Sequence, residues 1–258
     1  MPYRVALAVS LPILWWQGRR VKRDTPRLPE AAGARVGVSG AGQPLRVLIL
    51  GDSAAAGVGV SHQDQALLGQ ILALLTPHHQ VSWQLHATSG FRLIDVYQSL
   101  DALQGEPFDV VLVSVGVNDV TAFTPIRRWT QQYQHLIDYF HQHSSTTQLL
   151  CTAVPPMHAF SALPQPLRWL LGQRAHHLNR VLAQQLSVYP YAHLLKPDLP
   201  LEATLLAADG FHPAAPAYQL WAQAAAQLLH SILKPNEKTL DLQKDTIKKS
   251  SEIFHSST

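Results

Sequence analysis

"RVLILGDSAAAGVG" occupies Arg46–Gly59. Its first part is an apolar run that stops at Gly51, and Asp52 and Ser53 follow at once. A continuous apolar run without alternation suits a strand covered on both faces, and such strands belong to parallel sheets. The glycine allows a sharp exit from the strand. Ser53 then stands either as an ordinary turn or cap residue, or as a reactive group held at the end of a buried strand. The local sequence does not choose between these, so the rest of the chain must supply partners or fail to.

The same kind of run recurs downstream. "VSWQLHAT" (81–88), "FDVVLVSVG" (108–116), "QLLCTAV" (148–154) and the weaker "YAHLLKP" (191–197) are predicted strands. Helical stretches are predicted near 63–75, 91–104, 125–143, 164–187 and 214–233; in the last, Tyr218, Trp221, Ala225, Leu228 and Ile232 recur at helical spacing. Repeated β-α-β alternation implies a mostly parallel sheet with right-handed crossovers and helices on both sides. The expected fold class is therefore α/β, with a central parallel sheet of five strands.

Outside this zone the composition changes. Residues 1–45 form an apolar and basic leader: "VALAVSLPILWW" (5–16), then "QGRRVKR", then a Pro/Gly/Ala-rich stretch. The apolar piece is interrupted by Pro12 and is shorter than the ~20 residues of a membrane span. It also lacks a signal-peptide cleavage pattern. Two readings stay open: residues 5–23 contact an anionic membrane surface, Trp15 and Trp16 beside Arg19, Arg20, Lys22 and Arg23, or the leader is strapped across the protein. The expected location is the cytoplasm, with the inner membrane face as the place of any such contact. Residues 46–233 read as one domain, and the polar tail 234–258 reads as disordered.

The formal net charge of +3 is unevenly spread. Residues 1–46 carry +6, residues 47–233 carry −4 and the tail carries +1. An acidic globular part argues against a nucleic-acid face. The single cysteine, Cys151, excludes an internal disulfide framework and a cysteine metal cage; in "TQLLCTAV" it reads as a buried hydrophobe. Fourteen histidines are present, but "HQH" at 141–143 and the doublets at 78–79 and 176–177 match no zinc motif, so neither metal nor cofactor is expected.

In open α/β sheets ligands bind beyond the carboxyl ends of the strands. Those ends are followed here by Asp52 and Ser53, by Ser89 and Gly90, by "GVND" with Asn118, and by "LLAADGFHP" with Asp209 and His212. Acyl transfer needs a nucleophile, a base, a group that orients the base and donors for an oxyanion. Ser53, His212 and Asp209 fit the first three roles, and Gly90 and Asn118 can act as donors. Each piece alone is an ordinary turn; their order after successive strands is what points to one catalytic rim.

"GDSAAAG", Gly90, "GVND" and "DGFH" resemble, in order, the four blocks of the SGNH (GDSL-type) hydrolases. The resemblance spans about residues 46–233. It implies a flavodoxin-like three-layer α/β/α sandwich and a metal-free esterase, lipase or acylhydrolase acting on a small-molecule ester or lipid. It also implies the triad Ser53, Asp209 and His212 and an oxyanion hole of Ser53, Gly90 and Asn118. Within that class a thioesterase or lysophospholipase stays open; outside it, a non-catalytic carbohydrate- or lipid-binding member of the fold. The loop "AVPPMHAF" (153–160), with Met157 and Phe160, is expected to border the acyl pocket. Arg127 and Arg128 stand as either a solvated helix start or an anion contact.

Overall fold

A computed structural model describes residues 2–103, 107–200 and 202–233. Helix α1 (Pro2–Asp24) is followed by β1 (Val36–Ser39), β2 (Gln43–Gly51), α2 (Leu67–Leu75), β3 (His79–Ala87) and α3 (Leu93–Gln98). Then come β4 (Val110–Ser114), α4 (Val117–Thr121), α5 (Ile126–His143), β5 (Gln148–Thr152), α6 (Leu167–Leu186), β6 (Ala192–Leu195) and α7 (Ala215–Leu233).

The strands form one sheet in the order β1-β3-β2-β4-β5-β6. All pairs from β3 to β6 are parallel, with Val47 opposite Val110 and Gly51 opposite Ser114 at the centre. The strand order reverses at β2, which lies between β3 and β4, so the carboxyl end of β2 is the switch point where such sheets open a crevice.

Side-chain alternation on these strands builds the two cores. Leu48 and Leu50 of β2, Val111 and Val113 of β4, and Leu149 and Cys151 of β5 face one layer, with α3, α5 and α6. Val47 and Ile49, Val110 and Leu112, and Leu150 face the other, where α2 and α7 pack. A strand that must satisfy both layers has no polar position to spare, which explains the unbroken apolar runs. This is the three-layer α/β/α class that the sequence implies.

The sheet differs from the expectation in one strand. It has six strands rather than five, because Val36–Ser39, read as part of the leader, pairs antiparallel with β3. β1 covers an edge of β3 that would otherwise expose a row of unpaired backbone groups. Pro12 does not interrupt the apolar leader either: α1 runs through it from Pro2 to Asp24. No helix among the described residues is long and apolar enough to cross a membrane. α1 rests on the domain along one side, where Leu14 and Val21 pack against the core and Gln17 is buried. Gln17 Nε2 donates to the Gln165 carbonyl at 2.6 Å, and its Oε1 accepts from the Leu167 amide at 3.2 Å. The polar tail 234–258 lies outside the described residues.

Candidate active site

The turn after β2 is set by packing. A side chain at Gly51 would run into the Ser114 carbonyl of the neighbouring strand, so only glycine lets the chain turn there. The Asp52 amide donates to that carbonyl at 3.0 Å, and Asp52 Oδ1 accepts from the Ala54 amide at 3.1 Å. The loop that follows is closed by Val58 N to the Ser53 carbonyl and pinned from α7. Tyr218, fully buried, donates its single hydroxyl proton within reach of two carbonyls, Val58 at 2.7 Å and Ala54 at 3.0 Å. Ser53 is left half-buried at the top of this loop.

His212 arrives from the opposite end of the chain. Its Nε2 lies 2.8 Å from Ser53 Oγ, and its Nδ1 lies 2.5 Å from Asp209 Oδ2. Asp209 Oδ1 accepts from the amides of Phe211 and His212, both at 3.0 Å. Burial pushes the Asp209 carboxyl up, but the His212 ring and the two amides outweigh it and hold it below the ordinary carboxylate range. An ionised carboxylate only accepts, so Nδ1 carries the proton and Nε2 faces Ser53 as an acceptor.

Gly90 and Asn118 border the same cavity as Ser53, Asp209 and His212. Gly90 has a φ of 89°, a conformation that glycine favours, and open space on the side where a side chain would stand. Neither the Ser53 nor the Gly90 amide is hydrogen-bonded among the described residues. Asn118 Nδ2 donates one hydrogen to the Phe91 carbonyl at 2.9 Å, leaving its second for a ligand. Asp119, beside it and fully buried, accepts from the Leu93 amide and from Thr124 Oγ1, both at 2.9 Å. "GVND" is thus a clamp on the Gly90 segment as well as a source of one donor.

The structure adds contributors that the motifs did not point to. Glu30 Oε1 accepts from the Ser89 amide at 2.7 Å, and its Oε2 meets Arg35, whose other nitrogen donates to the Ala87 carbonyl at 2.6 Å. The Pro-rich stretch after α1 therefore braces the Gly90 loop; an isolated glutamate among leader cations was the available signal. Asn179 of α6 holds the Val154 amide and carbonyl, each at 2.8 Å, fixing the start of the loop after β5. In that loop Phe160 lines the cavity and meets Phe211 edge-on, with ring centres 5.4 Å apart. Met157 does not line it, because its side chain is fully buried in the core below. Arg127 and Arg128 are exposed and outside the cavity lining. Cys151 is buried, and burial lifts its thiol to about 12. Among the described residues no group of three or more His, Cys, Asp or Glu is placed to hold a metal ion.

Residues 49–220 match the GDSL-like Lipase/Acylhydrolase family, a span that begins in β2 and ends in α7 and so encloses Ser53, Gly90, Asn118, Asp209 and His212, though not the strap with Glu30 and Arg35. The chain belongs to that family. Among curated proteins it is similar to the GDSL-like esterase Rv1075c of Mycobacterium tuberculosis, 28% identical over 201 residues. The match covers 74% of this chain and 62% of that relative, so the chain spans less than two thirds of the relative's length. Among solved structures, the lipase Lip_vut3 from a goat rumen metagenome has a TM-score of 0.58 at 16% identity, covering 74% of this chain and 99% of that one. The lipase/acylhydrolase from Enterococcus faecalis has a TM-score of 0.56 at 17% identity, covering 74% and 98%. A family 3 carbohydrate esterase from Clostridium thermocellum has a TM-score of 0.57 at 16% identity, covering 72% and 94%. At these identities the structural matches establish the shared fold of the family.

Proposed function

We propose that the protein hydrolyses carboxylic esters through Ser53, His212 and Asp209. The observation that carries the reading is the relay from Ser53 Oγ to His212 Nε2 at 2.8 Å and from Nδ1 to Asp209 at 2.5 Å. Ser53 Oγ attacks the acyl carbonyl while Nε2 takes its proton; Asp209 holds the ring in the required tautomer and stabilises the imidazolium. The carbonyl oxygen becomes an oxyanion facing the Ser53 and Gly90 amides and the spare Asn118 N–H. Collapse breaks the ester C–O bond, and the imidazolium returns the proton to the leaving alcohol. Water then repeats the sequence on the acyl-serine, releasing the acid. Membership of the family supports ester hydrolysis in general.

The test is a p-nitrophenyl ester series from acetyl to palmitoyl, with Ser53→Ala as control. The wild type should turn over at least one ester, and Ser53→Ala should lose at least about a thousandfold in kcat. Wild-type rates no higher than those of the variant across the whole series would reject the reading. Parallel acyl-thioesters would show whether the sulfur leaving group is preferred.

A further inference from the structure

α1 has two unlike sides. Leu14, Gln17 and Val21 sit on the domain, and at helical spacing Trp15, Trp16, Arg19 and Arg23 lie on the opposite side. Trp15 is 65% exposed and Trp16 54%, with Leu11 and Ile13 exposed beside them at 58% and 50%. Arg19 lies over the Trp15 ring at 4.9 Å and Arg20 over Trp16 at 5.4 Å. An exposed apolar band edged by cations is costly in water, and Trp and Arg are the residue types suited to the headgroup level of a bilayer.

Charge selects the occupant. The stretch 2–24 that forms α1 carries five Lys/Arg against one acid, a net of +4, while 47–233 carry −4, so an anionic surface attracts the molecule by this helix rather than by the rest of the domain. The helix also leads to the site: Val21, Lys22, Thr25 and Arg27, at its end and just past it, line the cavity that holds Ser53. That cavity has a volume of about 1220 Å³.

We propose that α1 docks the protein on an anionic lipid surface through Trp15, Trp16 and the arginines around them, with the Ser53 cavity opening beside the bilayer so that acyl esters enter from the lipid phase. The helix lies in the interface and does not cross it. Docking stands independently of the esterase reading; delivery of substrate rests on it.

The test uses the full chain, flotation with vesicles of phosphatidylcholine alone or mixed equally with phosphatidylglycerol, and the double variant Trp15→Ser/Trp16→Ser, whose replaced rings are mostly exposed. The wild type should float with the mixed vesicles and not with phosphatidylcholine alone. The variant should lose at least about tenfold in binding while hydrolysing p-nitrophenyl acetate in solution at the wild-type rate. With p-nitrophenyl palmitate dissolved in the mixed vesicles, wild-type hydrolysis should exceed that of the variant by at least about tenfold. Equal flotation of wild type and variant, or no wild-type flotation, overturns docking, as does a tryptophan-dependent dimer in sedimentation without vesicle binding. Flotation with no hydrolysis of any soluble ester supports docking and removes the esterase reading with its delivery step. Docking with equal vesicle-ester rates overturns delivery alone.

Discussion

Asp52 and Asp209 are both buried beside the serine, yet their surroundings push them in opposite directions. Asp209 collects three donors and stays ionised; Asp52 has few, and burial raises its carboxyl from 3.8 to about 7. A group whose pKa rises on folding stabilises the fold when protonated, so the Asp52 contribution is complete below about pH 4 and is lost as pH rises through about 7. Asp209 has the opposite sign: its contribution is present above the ordinary carboxylate range and is lost in acid. Asp52→Asn keeps an oxygen to accept the Ala54 amide and removes the ionisation. Thermal melts should therefore show the variant several degrees more stable than wild type at about pH 8 and equal to it at about pH 4. Asn118 carries a separate expectation: on the proposed mechanism its spare N–H meets the oxygen only once charge develops, so Asn118→Ala should lower kcat by about 10²–10³ with little change in KM. A loss confined to KM would remove Asn118 from the oxyanion site.

Elements differ in how plainly they were written. β2, β4 and β5 were legible because two packed layers demand apolar residues through their central positions, Val47–Leu50, Val110–Val113 and Leu149–Cys151. "GDS" and "GVND" were legible because each follows a strand end; "DGFH", well past β6 and just before α7, was legible by the three-residue spacing that lets one loop present Asp209 and His212 together. β1 was not: it is four residues long, it lies at an edge, and its exposed Val36 and Val38 alternate with small residues in a Gly- and Pro-rich setting. Its partner, the outer edge of β3, is a tertiary fact with no local mark. Tyr218 was legible only as part of an apolar helix face, since nothing in that spacing says that its hydroxyl reaches the serine loop on β2. Tyr218→Phe leaves the ring in place and strips a donor from the buried Val58 and Ala54 carbonyls. It should cost about 1–3 kcal/mol in denaturant unfolding and lower kcat, because the loop that positions Ser53 loses its anchor to α7. Unchanged stability would mean that water replaces the hydroxyl.

At the scale of the molecule, the cavity is built by parts that are far apart in sequence: the strap after α1, the loops after β2, β4 and β5, the inner side of α6, and the turn before α7. Its volume of about 1220 Å³ exceeds the ~300–1000 Å³ of common small-molecule pockets. An acyl chain bound there gains contact with each added methylene, so kcat/KM should rise from acetyl to dodecanoyl esters rather than fall; a steep fall beyond butyryl would mean that the space near Ser53 is closed to chains. Pro- and Gly-rich composition hid the role of the strap, because Glu30 and Arg35 act through the backbone of the Gly90 loop and no motif records such a contact. Ser53 and His212 are 159 residues apart. At synthesis rates of about 5–20 residues per second, Ser53 leaves the ribosome roughly ten to thirty seconds before His212 does. During that interval the strand and its serine exist without a proton acceptor or the tyrosine anchor, so the growing chain carries an inert hydroxyl. On the proposed mechanism, Ser53 therefore gains its partners only after the turn before α7 and α7 itself have been made.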